Sequence, residues 1–141
     1  MKNSTKVLLS ISILAVLAIV EKPDEVAPPR PAIGEAVSQK YFEYIDRVVA
    51  FDCNNEVKAL VKYDIRAPGL VWGTRSGRDT FLRFRQWSKR VAPDGTIRLV
   101  GDDAEAQNGF GGWARVNYSC TVDIATNSVK DASLNPGRIL D

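Results

Sequence analysis

Hydrophobic positions fall along this chain in three patterns, each with its own structural meaning. The first is a continuous run. Residues 7–20 (VLLSISILAVLAIV) are apolar apart from Ser10 and Ser12, and Lys2 and Lys6 precede them. A basic flank followed by a short apolar run is the pattern of a secretory signal. A full membrane span takes about 20 apolar residues, more than this run supplies. No A-x-A-like cleavage site follows it, and no cysteine stands near its end to carry a lipid. Two readings stay open for residues 1–20: a signal peptide with a poor cleavage site, or an uncleaved N-terminal membrane anchor. Either leaves the lysines inside and sends the remainder across or into the inner membrane.

The second pattern has the helical period. From Val37, apolar residues recur at Tyr41, Ile45, Val48, Val49, Val57, Leu60 and Val61, with Cys53 on the same stripe. Spacings of three and four predict an amphipathic helix. Asn54 and Asn55 fall on its polar side. As poor helix formers they are candidate sites of a break, but the stripe keeps its phase across them. One long helix, or two nearly collinear ones, is expected, ending before Pro68.

The third pattern alternates. Along 112–123, Ala114, Val116, Tyr118, Cys120 and Val122 point one way, and Trp113, Arg115, Asn117, Ser119, Thr121 and Asp123 the other. That is a strand with one buried and one wet face. Ala92-Pro93-Asp94-Gly95 reads as a type I turn between candidate strands 81–91 and 96–106. Residues 109–112 connect into 112–123, and Ala125-Thr126-Asn127-Ser128 into a short strand 129–133. The stretch 81–91 also fits a helical period through Phe81, Phe84, Ser88 and Val91; the turn after it favours a strand.

Between the apolar run and the helix lie Pro23, Pro28, Pro29 and Pro31, so 21–33 reads as an extended proline-rich linker or an arm wrapping the domain. The folded unit is then 34–141, one domain with one core. The expected class is α+β: a long N-terminal helix packed on an antiparallel meander of three to four strands, with one disulfide. That bridge is Cys53–Cys120, since each cysteine sits on the apolar face of an element that packs on the other. Export makes oxidation the default. The alternative is two inert buried thiols.

Composition narrows the chemistry. The chain is 45% hydrophobic and 26% charged, with a net charge of +2 and no histidine. The near balance of charge argues against a polyanion binder, and export against nucleic acid. Without histidine, and with both cysteines bridged, no metal cage and no cofactor are expected. Asp103 and Glu105 share a strand face and are the candidate carboxylate pair for a small hydrolase or carbohydrate-acting enzyme; a solvated face is the plainer reading. Phe81, Arg83, Arg85 and Trp87 share a face if 81–91 is a strand. With Trp113 they form a candidate binding face for an envelope protein or an anionic envelope surface. The plainer reading has these arginines pairing with Asp103 and Glu105. Asn108, Gly109 and Phe110 are a candidate loop contact, although a bulged turn with Phe110 folded back on the core is the expected structure.

The stretch 101–113 (GDDAEAQNGFGGW), followed by Tyr118-x-Cys120, resembles a motif in small exported bacterial proteins of unknown function. In these an Asn-x-Phe-Gly-Gly hairpin leads into a cysteine-bearing strand. An upstream helix carries the other cysteine and leads into a short segment, here Ala67-Pro68-Gly69-Leu70-Val71-Trp72. The resemblance covers roughly 52–123. It implies a helix with an antiparallel sheet and carries no activity. The expected function is that of a non-enzymatic protein-binding or accessory module, displayed in the periplasm or anchored in the inner membrane by residues 7–20.

Overall fold

A computed structural model describes residues 26–66 and 82–139. The apolar run 7–20, linker residues 21–25, the segment Ala67 to Trp72, and Phe81 lie outside the described residues.

Helix α1, Gln39–Ala59, begins where Ser38 turns to an extended conformation and its Oγ accepts from the Tyr41 N–H at 3.1 Å. That bond satisfies one of the N–H groups left open at a helix start. Tyr41, Ile45, Val49, Cys53 and Val57 form the buried stripe. The helix runs unbroken through Asn54, and Asn54 is itself buried, not on the polar side. Its Nδ2 donates to the Ala50 carbonyl at 2.8 Å, while its Oδ1 accepts from the Leu82 N–H. A buried asparagine is tolerated here because it replaces the hydrogen bonds that the backbone of another segment lacks. No helix among the described residues is long and apolar enough to cross a membrane.

The sheet is antiparallel. Strands β3 (Thr96–Gln107), β4 (Trp113–Asp123) and β5 (Ser128–Pro136) follow one another as neighbours. Two short strands, β1 (Ile65–Arg66) and β2 (Gln86–Trp87), line the other edge of β3. β5 is longer than the expected 129–133. The alternation along β4 places Val116, Tyr118, Cys120 and Val122 in the core, opposite Ala104, Gly101, Leu99 and Ile97. Helix α1 crosses β4 and β5, and Cys53 and Cys120 are joined with their Cα atoms 5.8 Å apart. The fold is α+β, stapled by one disulfide between helix and sheet.

Of the described residues 82–91 only Gln86 and Trp87 form regular strand, because the backbone groups of this stretch are shared among several neighbours. The Leu82 N–H goes to Asn54, and the Arg83 carbonyl accepts from the Tyr118 hydroxyl. Arg85 and Ser88 donate to β3, at the carbonyls of Val100 and Arg98. The Lys89 and Val91 carbonyls accept from Val37 and Gly34. These partners come from the helix, from β3, from β4 and from the chain ahead of the helix, so no single strand supplies them. The last linker residues lie on the domain as well: the Arg30 guanidinium donates to the Ala125 carbonyl at 3.1 Å.

Two bulges shape the sheet. Gly101 faces Tyr118 and Ala104 faces Val116, so Asp102 and Asp103 together oppose Asn117 alone. The extra residue keeps Gly101 and Ala104 buried on the helix side and sets both aspartates among the partly exposed positions. Gly101 is required: a Cβ there would collide with the Arg83 carbonyl and lie 2.5 Å from the Tyr118 ring.

Asp46 on α1 has its pKa raised from 3.8 to about 6, chiefly by burial and in spite of Arg47. Between about pH 4 and 6 the folded protein therefore holds a proton that the unfolded chain has released, so this carboxyl costs stability as pH rises through that window. Asp46→Asn is expected to gain about 1 kcal/mol at pH 7, after discounting for partial exposure, and almost nothing at pH 3.5. Urea midpoints of both proteins at the two pH values check this.

Candidate functional site

Two places outside the core gather the residues singled out above. The first is the tip of the β3–β4 hairpin. Asn108 organises it. Its backbone N–H donates to the Gly112 carbonyl at 2.8 Å, and its carbonyl accepts from the Gly111 N–H at 3.1 Å. Its side-chain Oδ1 accepts from the N–H groups of Phe110 and Gly112, at 3.0 and 2.9 Å. Gly111 takes a φ of +80°, which only glycine adopts without strain. Phe110 does not fold back on the core: its side chain is 100% exposed. The hydrogen bonds around Asn108 close the loop on itself, and the closed loop turns the ring outward.

Other aromatic groups flank the tip. A Cβ at Gly109 would come within 2.8 Å of the Tyr63 hydroxyl, so glycine leaves room for Tyr63 to lie along the loop. Tyr63 remains half exposed, with the Lys62 ammonium 5.4 Å from its ring centre. Trp113, on the first residue of β4, carries the Arg66 guanidinium over its ring at 4.2 Å. Arg66 also pairs with Glu105 at 3.2 Å. Tyr63 and Arg66 carry no sequence signal, because nothing local links 63–66 to 109–113; only the pairing of β1 with β3 brings them together.

The second place is a hollow of about 450 Å³ lined by Arg83, Phe84, Arg85, Asp102, Asp103, Arg115 and Arg138. Arg85 grips Asp102 with Nε and Nη2, at 2.8 and 3.0 Å, and the Ile139 N–H donates to the same carboxylate. The Arg85 bonds, with lesser help from Ile139 and the charge of Arg138, hold the Asp102 carboxyl below its ordinary range. Arg115 donates to the Asp102 carbonyl at 3.2 Å and stands 3.7 Å from the Asp103 carboxylate. Behind the aspartates, burial pushes the Tyr118 hydroxyl up to about 12. It stays protonated and donates to the Arg83 carbonyl.

The structure thus divides the expected binding face. Arg83 and Arg85 come together at the hollow. Trp87 does not join them: the register sets it opposite Leu99, on the helix side. There it stacks on Phe42 with ring centres 4.2 Å apart and planes 11° from parallel, and its Nε1 donates to the Val37 carbonyl at 3.0 Å. The irregular backbone of 82–91 is the cause, since strict alternation would have kept Trp87 in phase with Arg85. Trp113 belongs to the hairpin tip. Asp103 and Glu105 do not converge, because Asp103 lines the hollow while Glu105 turns to Arg66. Arg115 and Arg138 are site residues that periodicity does not reveal. Arg115 shows in sequence as a wet-face residue of β4, whereas Arg138 lies beyond β5 with no local signal. No protein-family model, curated protein or solved structure matches this chain.

Proposed function

We propose that this protein is an exported accessory module that binds a protein partner in the cell envelope and catalyses no reaction, with the β3–β4 hairpin tip as its contact. In this reading residues 7–20 direct export or hold the chain in the inner membrane. The closed disulfide suits an oxidising compartment. The observation that carries the reading is Phe110. A fully exposed aromatic ring gains nothing for the fold, yet the Asn108 bonds hold its backbone in one conformation. A ring presented on an ordered loop forfeits little conformational entropy on binding, and aromatic side chains beside an arginine are the types that dominate binding energy.

Phe110→Ala is expected to leave the melting temperature within about 1 °C, because the ring buries no area in the fold. The same change should weaken partner binding by about thirtyfold or more, the loss of one hot-spot side chain. Full-length wild-type and variant protein, immobilised and washed with detergent-solubilised envelope, make the comparison. A discrete protein retained by wild type and lost from the variant is the expected result. Equal retention would refute the tip as the contact.

A further inference from the structure

We propose that the arginine-lined hollow binds a phosphate monoester dianion. This goes beyond the hairpin-tip reading and stands or falls independently of it. Among the described residues four guanidinium groups and two carboxylates line the space, an excess of two positive charges. Asp102 is fully engaged: both oxygens hold Arg85, and one also accepts from the Ile139 N–H. Arg115 is committed to the Asp102 carbonyl and stands beside Asp103. Among the described residues no carboxylate lies within ion-pair distance of Arg83 or Arg138. These two supply the excess charge, and both are exposed at the rim.

The backbone explains why the charges collect here. The bulge at Asp102–Asp103 sets two carboxylates side by side, and these gather Arg85 and Arg115. Gly101 lets the Arg83 backbone approach β4, and the Tyr118 hydroxyl fixes the Arg83 carbonyl. The root of Arg83 is thereby held while its guanidinium stays at the hollow. Phe84, buried beneath, gives the site a dry wall that strengthens a charged contact. Planar guanidinium forks match the oxygens of a phosphate with paired hydrogen bonds. A dianion balances the excess of two, which a monoanionic carboxylate would leave half neutralised.

Titration calorimetry of the full chain in a neutral detergent, with inorganic phosphate as the probe, tests the site. Saturable binding is expected, weakened at least about tenfold for each of Arg83→Ala and Arg138→Ala, the usual loss of one charge-assisted contact. Arg98→Ala removes an exposed arginine outside the hollow and should leave the affinity unchanged. Thermal melts of the three variants verify that each is folded. A second arm dopes the micelles with phosphatidic acid. Heats of phosphate binding that vanish when the lipid is present assign a lipid headgroup as the resident, and an unchanged titration assigns a free phosphate. Absence of saturation up to about 10 mM phosphate, or equal weakening by Arg98→Ala, would overturn the proposal.

Discussion

Removing both cysteines as Cys53→Ala/Cys120→Ala should destabilise this domain by about 4 kcal/mol. The bridge spans a sequence separation of 67. By the loop-closure argument a cross-link of that span lowers denatured-state entropy by an amount worth about 4 kcal/mol. That is a large share of the whole, since a domain of this size holds only about 5–15 kcal/mol in all. Two further features put the effect in the upper part of the range for such bonds. Both sulfurs are fully buried, so the alanines leave a cavity between helix and sheet. The bond also joins α1 to β4, the central strand, whose neighbours β3 and β5 depend on it for pairing. The urea midpoint should fall sharply and the slope should rise, because the denatured chain without its cross-link is less compact and exposes more surface. A variant with the wild-type midpoint would show that the helix is held by packing alone.

Trp87→Ala should cost about 3 kcal/mol, and for a different reason. Its ring stacks on Phe42 of the helix and its Nε1 satisfies the Val37 carbonyl just ahead of the helix start. Truncation removes the stacked area and leaves that carbonyl without its donor. Trp87→Phe separates the two contributions. It restores most of the ring contact and leaves only the missing hydrogen bond, about 1 kcal/mol. Urea unfolding of both variants decides the matter. If Trp87→Ala left stability unchanged while abolishing partner binding, Trp87 would belong to a binding face and not to the helix contact.

The buried elements of this fold are legible where one face is apolar and the period is regular. The stripe from Tyr41 to Val57 and the alternation from Val116 to Val122 give the helix, the best strand, and the placement of Cys53 opposite Cys120. Legibility fails wherever backbone hydrogen bonds go to side chains. Asn54 looks like a surface residue because a helical wheel weighs hydrophobicity and not the needs of a distant backbone; here Leu82 supplies the need. The stretch 82–91 reads as a strand or a helix because its partners are Asn54, Tyr118, β3 and the chain before the helix, and periodicity registers none of these. The bulge at Asp102–Asp103 shifts the facing of β3 by one residue, and its one local mark is Gly101, an isolated glycine that does not say which residues the bulge takes up. The hollow is invisible in sequence for that reason, and because Arg138 reaches it from beyond β5. At the hairpin tip the motif residues are legible but their geometry is the reverse of the expected one. Asn108 and Gly111 make a closed loop, and a closed loop presents Phe110 outward.

The proposed role turns on what Phe110 touches in the cell. Site-specific photo-crosslinking measures this most directly: a photoreactive side chain placed at 110 in the full-length protein, expressed in its own cells, against the same group placed at Asp131, exposed on β5. A single discrete protein adduct from position 110 and none from 131 is the expected result. No adduct from 110, or the same adducts from both positions, would contradict it.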